Sequence, residues 1–264
     1  MELAAAAGVG VLAVTDHDTL DGVPEALAAG AALRVRVIPG VEVSVRAPSG
    51  SMHLLGYLPE SAPEPIASRL AALREARATR ASRIVGRLVA MGVPVSLADV
   101  AAHAGGPIGR PHVADALVAA GHARDRQDAF DRFLADGAPA YVPHEGIEPR
   151  EAVRLVTDSG GAAVLAHPAS LRMDDRDLAD FVRRLRGWGL AGIEVHRPDH
   201  TPERRRSLAE LAGRLGLVPC GGSDFHRPGE GLTPGDTGDP PLPADTIERL
   251  LPVGSGGPSA SVAP

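Results

Sequence analysis

The feature that most limits what this chain can fold into is a repeated pattern of apolar runs that stop abruptly at acids and histidines. The first run is Val11-Leu-Ala-Val-Thr-Asp-His-Asp18. It predicts a buried strand over 9–16 whose C-terminal end delivers two carboxylates, Asp16 and Asp18, and the His17 imidazole to one spot. A helix across Pro24–Leu33 follows, then a strand over Val35–Val45 carrying Pro39-Gly-Val-Glu42, and a short strand over Met52–Leu58 that begins with His53. Beyond residue 145 the alternation resumes. Helix 148–159 leads to strand Ala162–His167, helix Asp175–Trp188 to strand Gly192–His196, and helix Pro202–Leu215 to strand Leu217–Cys220. So regular an alternation predicts an α/β fold with a parallel sheet and right-handed crossovers.

Residues 62–144 have a different character. Leu70–Met91 predicts a long amphipathic helix rich in Arg74, Arg77, Arg80, Arg83 and Arg87. Ser96-Leu-Ala-Asp99 has the spacing of an N-cap for a short helix. Gly109-Arg-Pro-His112 opens another helix, and Asp125–Ala135 gives a third. No strand signal interrupts this stretch, so it reads as an all-helical insertion. The expected organisation is a discontinuous α/β domain over 1–61 and 145–251, the insertion at 62–144, and a disordered Gly/Pro/Ser-rich tail at 252–264.

Composition narrows the function. With 44% hydrophobic but only 3% aromatic residues, the core is built mainly from Ala, Val and Leu. A net charge of −6 argues against long-duplex nucleic acid as a partner, while a local basic pocket is still allowed. All 27 basic residues are arginine. The single cysteine, Cys220, excludes an intrachain disulfide, reads as structural and fits a reducing, cytoplasmic location. No apolar run reaches bilayer length, and the first residues read as the end of a helix closed by Gly8. Oligomeric state is not legible.

Hard divalent cations are held by carboxylate oxygens and imidazole nitrogens, and clusters of ions share bridging carboxylates. The candidate ligands are Asp16, His17, Glu42, His53, His167, Asp224 and His226, each at or just past a predicted strand end. In Ser223-Asp-Phe-His226, extended alternation points Asp224 and His226 the same way and turns Phe225 into the packing. Each residue alone is equally a helix cap or a turn former. Seven on one side of one sheet point to a metal-dependent hydrolase. The other histidines (His103, His122, His196 and His200) read as caps or loop residues.

Thr15-Asp-His-Asp18, Pro39-Gly-Val-Glu42, His53-Leu-Leu-Gly-Tyr57, Ala166-His-Pro168 and Ser223-Asp-Phe-His226 together resemble the PHP (polymerase and histidinol phosphatase) superfamily. In order and spacing they are most similar to its small phosphoesterase branch, which acts on nucleoside 3′,5′-bisphosphates and short RNA 5′ ends. The resemblance implies a distorted (β/α)7 barrel with a helical insertion. It also implies a cluster of two or three divalent ions, Mn²⁺ foremost, with Mg²⁺, Zn²⁺ or Fe²⁺ as alternatives. His17, Glu42, His53, His167, Asp224 and His226 would be ligands with Glu42 bridging, and Asp16 a ligand or an orienting residue behind one. His17, His167 and His226 are the residues expected to take part in catalysis, His167 or His226 by assisting proton transfer to the leaving alcohol. Arg77, Arg80, Arg110 and His112 match places where the branch binds substrate phosphate, and guanidinium suits bidentate phosphate contacts. Tyr141-Val-Pro-His144, which closes the insertion, is expected to face the site. The family opens with a strand bearing a His-x-His pair, and nothing of that kind precedes Asp16. A mis-called or truncated start is therefore expected, with that first barrel strand missing. The resemblance thus implies hydrolysis of a phosphomonoester on a small nucleotide or short RNA 5′ end. The alternatives are a histidinol-phosphate phosphatase and a truncated, non-catalytic PHP-domain binding or regulatory protein.

Overall fold

The computed structural model describes residues 1–59, 64–104, 108–143, 146–229 and 231–251. The tail expected to be disordered, 252–264, and His144 lie outside the described residues. The apolar runs form six strands: β1 (Val11–Val14), β2 (Arg36–Val45), β3 (Met52–Tyr57), β4 (Ala162–Leu165), β5 (Gly192–His196) and β6 (Val218–Gly221). They lie in one curled sheet in the order of the chain. From Ile38 onward β2 is buried on both faces, as its near-continuous apolar sequence requires.

β1 is parallel to β2, and β4, β5 and β6 are parallel to one another. β3 runs antiparallel to both β2 and β4, so the sheet is mixed and not wholly parallel. The short stretch between β2 and β3 is the cause, because a parallel crossover needs a dozen or more residues. This reversal places the site. The first residues of an antiparallel strand lie at the same sheet edge as the last residues of its parallel neighbours. His53 therefore stands opposite Ser44, one diagonal step from Glu42 on the same face.

The chain divides into two compact units, Met1–Ala67 with Ile147–Pro264, and Ser68–Gly146. In the first unit the connecting helices start and stop where their caps dictate. The hydroxyl of Thr201 accepts from the Arg204 N–H at 3.2 Å ahead of helix Pro202–Leu215, which Gly216 closes in the left-handed conformation. Helix Pro149–Asp158 buries Ala152, Val153 and Val156. In the second unit, Ser96 and Asp99 cap the short helix Leu97–Ala102 reciprocally, at 3.1 and 2.8 Å. Its core gathers Ile84, Leu88, Val100, Val113, Leu117, Phe133, Leu134 and Val142. The third helix expected there is an α-turn, Arg126–Ala129, running into a wider π-turn, Phe130–Leu134. No helix among the described residues is long and apolar enough to cross a membrane.

Candidate metal centre

Glu42 is the hub. It leaves β2 only 5% exposed, and three imidazoles converge on its carboxylate. His53 Nδ1 is 2.7 Å and His167 Nε2 3.0 Å from Oε1, and His17 Nδ1 is 3.8 Å from Oε2. His53 Nδ1 and His167 Nε2 are themselves 3.2 Å apart. Burial alone would raise the Glu42 pKa, but the charges of His53 and His17 and hydrogen bonds from His167 and His53 hold it well below the usual carboxylate range. For His167, burial pulls downward and is outweighed by the hydrogen bond and charge of Glu42, so its pKa is raised.

The hydrogen-bond network around His167 tests whether these residues suit a metal. Ser170 Oγ donates to the Ser51 carbonyl at 2.8 Å, so it accepts from His167 Nδ1 at 3.0 Å. This assigns the ring proton to Nδ1 and leaves the Nε2 lone pair facing the lone pairs of Glu42 Oε1. Two acceptors held face to face in a buried site need a cation between them, either an extra proton or a metal ion. Ligand atoms about 2.1 Å from one ion stand about 3.0–3.4 Å apart, close to the spacing here. His17, Glu42 and His53 each offer a ligand atom within 4.8 Å of the others. The donor set fits a divalent metal.

The remaining candidates flank this hub. The His226 ring lies 5.8 Å from that of His17, and its Nδ1 is 2.8 Å from the Asp224 carbonyl. A carbonyl only accepts, so Nδ1 carries the proton and Nε2 is left as a potential ligand or base. Asp224 sits at φ +55°, with Oδ2 3.4 Å from Arg197 Nη2. Asp16 stands beside the cluster. Its carboxyl abuts Gly22, where an added Cβ would lie 2.8 Å from Oδ2, and burial raises its pKa against the pull of His226. Burial also pushes the Cys220 thiol up, in keeping with a packing role. Two residues escaped the sequence reading, Glu194 and Arg197, both buried. Glu194 Oε2 accepts the His167 N–H at 2.6 Å and Arg197 Nη1 at 3.1 Å. The only sequence signal was an acid in the interior of an apolar strand, which demands a partner.

The helical unit holds a separate constellation. Arg77, Arg80 and Arg110 line a small open cleft with Ile84, Ile108 and Gly109. Arg80 is 8% exposed, donates through Nε to the Val142 carbonyl at 2.8 Å, and among the described residues its Nη2 has no hydrogen-bond partner. Burial, then Arg110, lower its pKa to about 10. Arg110 also reaches Asp136 at 3.3 Å and lies 5.7 Å from the Phe130 and Tyr141 ring centres. His112 Nδ1 accepts the Gly109 N–H at 3.0 Å, which closes the start of helix Arg110–Ala119 and leaves the ring proton on Nε2.

No family model matches the chain. It is 34% identical over 233 residues to a 3′,5′-nucleoside bisphosphate phosphatase of Chromobacterium violaceum, covering 88% of this chain and 82% of that protein. It is 31% identical over 223 residues to a 5′-3′ exoribonuclease of Haemophilus influenzae, covering 84% and 81%. A solved structure from Bifidobacterium adolescentis, described as a candidate metal-dependent phosphoesterase, superposes with a TM-score of 0.83 at 32% identity over 95% of this chain and 88% of that one. With this likeness and its His/Glu centre, the chain belongs to the PHP superfamily of metal-dependent phosphoesterases, in the branch of the nucleoside bisphosphate phosphatases and 5′-3′ exoribonucleases.

Proposed function

We propose that this phosphoesterase hydrolyses the phosphomonoester of a small nucleotide such as a nucleoside 3′,5′-bisphosphate, or acts at the 5′ end of short RNA. The observation that carries the reading is the buried Glu42 carboxylate with His17, His53 and His167 gathered on it at 2.7–3.8 Å. These four would hold the metal, with Asp224 and His226 completing the ligands and Asp16 beside them. Bound there, two or three divalent ions, Mn²⁺ foremost, would activate water and neutralise phosphoryl charge. Ser170 keeps the His167 ring in the tautomer that presents Nε2 to the site. His226, half-exposed, offers Nε2 to solvent-borne groups and can hold a proton for the leaving alcohol when it is not a ligand.

Arg77, Arg80, Arg110 and His112 are assigned to anion recognition. A buried guanidinium with an unused donor, beside two further cations, favours a dianion such as phosphate. A bisphosphate carries a second such group, whereas a monophosphate does not. The overall acidity of the chain disfavours long duplexes as substrates. The test is inorganic phosphate release from a nucleoside 3′,5′-bisphosphate in Mn²⁺ buffer, for the wild type and for Glu42→Gln. Release that is chelator-sensitive and falls at least about 1000-fold in Glu42→Gln is expected. Equal rates in the two proteins would overturn the assignment.

A further inference from the structure

Two residues of the proposed metal centre sit in backbone conformations that L-residues rarely adopt. His167 has φ +23° and ψ 65°, and Asp224 has φ +55°. Such residues persist only where surrounding structure over-determines them. Both are tied to the same buried pair. Glu194 Oε2 takes the His167 backbone N–H at 2.6 Å, and Arg197 spans from Glu194 Oε2, at 3.1 Å, to Asp224 Oδ2, at 3.4 Å. Asp199 holds the outer edge of the guanidinium, with Oδ1 2.9 Å from Nε and Oδ2 3.3 Å from Nη2. Glu194 and Arg197 are 4% and 6% exposed, so neither can trade its partner for water. Gly222 lies over the other Glu194 oxygen, where an added Cβ would come within 3.3 Å of Oε1.

We propose that Glu194 and Arg197 are positioning residues, a clamp that holds the His167 main chain and the Asp224 carboxylate in the conformations that face the metal. The inference rests on the reading of His167 and Asp224 as ligands. The planar guanidinium is suited to this task because it serves three carboxylates, Glu194, Asp199 and Asp224, at fixed angles, whereas a lysine ammonium is a point charge without that fixed fork. The clamp touches neither substrate nor reacting atoms. Its loss therefore shows first in the metal and only through the metal in the rate.

The test is a Mn²⁺ titration of the metal-stripped full chain, followed by electron paramagnetic resonance, with kcat and KM measured alongside. In Arg197→Met the Mn²⁺ affinity is expected to fall about 10–100-fold, the usual consequence of losing a group that orients ligands. The bound Mn²⁺ spectrum is expected to broaden, and kcat to fall with KM little changed at moderate metal. Arg197→Lys is expected to lie between the two, and Glu194→Gln, which keeps an acceptor for His167 N–H, to resemble it. Wild-type affinity and spectrum in folded Arg197→Met overturn the proposal. If Arg197→Met does not fold, wild-type behaviour in both Arg197→Lys and Glu194→Gln overturns it. His167→Ala in the same titration separates the two readings. Undiminished Mn²⁺ binding there sinks the metal-site assignment, whereas weakened binding there with an unaffected Arg197→Met sinks the clamp alone.

Discussion

Arg80 is the residue whose replacement most directly separates a binding role from a structural one. It is 8% exposed, yet its guanidinium has a single hydrogen bond among the described residues, from Nε to the Val142 carbonyl. Burial and the neighbouring Arg110 and Arg77 bring its pKa down to about 10. At about 1.4 kcal/mol per decade of proton affinity, holding the charge there costs at most about 3.4 kcal/mol, and roughly half of that after solvent screening in an open cleft. The bond to Val142 returns about 1.5 kcal/mol. Arg80→Met keeps the apolar stem and removes the charge, so unfolding free energy should change by less than about 1 kcal/mol. A buried arginine in a satisfied structural pair would instead cost about 3–5 kcal/mol on removal. The assay is urea unfolding of metal-stripped protein with and without inorganic phosphate. Far-ultraviolet circular dichroism follows both units, and the single tryptophan, Trp188 in the other unit, serves as an internal control. Phosphate at ten times its dissociation constant stabilises the wild type by about 1.4 kcal/mol, and that increment should vanish in Arg80→Met. A loss of about 3 kcal/mol or more with the phosphate increment intact would refute the reasoning.

Three further outcomes follow from the site's titration and packing. His167 has a raised pKa, so its contribution to the stability of the metal-free protein is full below its ordinary value near 6.5 and is lost as pH rises through the folded value. Glu42 has a lowered pKa, and its contribution is present above the ordinary 4.5 and lost as pH falls through the folded value. The metal-free protein should therefore gain most from this pair between those two values, by denaturant titration across pH. Mn²⁺ affinity should fall about tenfold per pH unit once His167 is protonated, since the metal must displace that proton, and a pH-independent affinity would contradict the ligand role. Gly221→Ala would put a Cβ 2.0 Å from the His196 carbonyl oxygen, and should lower stability by about 3 kcal/mol in a thermal melt.

What the chain discloses before folding depends on whether a residue's role is written along the strand or across it. His17 and His167 announce themselves because each follows an apolar run where a strand must end, and Glu42 because it interrupts such a run inside β2; an ionisable group at either place needs a reason. His53 is harder, since it begins its strand. Its place beside Glu42 depends on β3 running antiparallel, a direction set by the short link from β2. Glu194 and Arg197 were illegible for the opposite reason. Glu194 lies within β5, Arg197 in the loop just beyond, and their partners are the His167 N–H and the Asp224 carboxylate, 27 residues away in either direction. The wide turn Phe130–Leu134 was missed because its composition is that of an ordinary helix. His112 shows a local capping contact that the phosphate assignment alone did not anticipate.

The Thr15–Asp18 stretch shows how one cluster of polar residues divides its labour. The chain after β1 stays alongside β2 because the Glu42 N–H donates to the Asp16 carbonyl and the Asp18 N–H to the Glu42 carbonyl, both at 3.0 Å. Asp18 is fully buried at φ +52°, and its carboxylate accepts the Ser44 N–H at 2.7 Å and the Ser44 hydroxyl at 2.6 Å. That uses both carboxylate oxygens on β2 and makes Asp18 an anchor. With Asp16 and Asp18 bound through their backbones on either side of Glu42, His17 has little freedom but to turn toward the Glu42 carboxylate. The His17 imidazole is placed by its neighbours' hydrogen bonds, and those bonds all end on the strand that carries the Glu42 carboxylate.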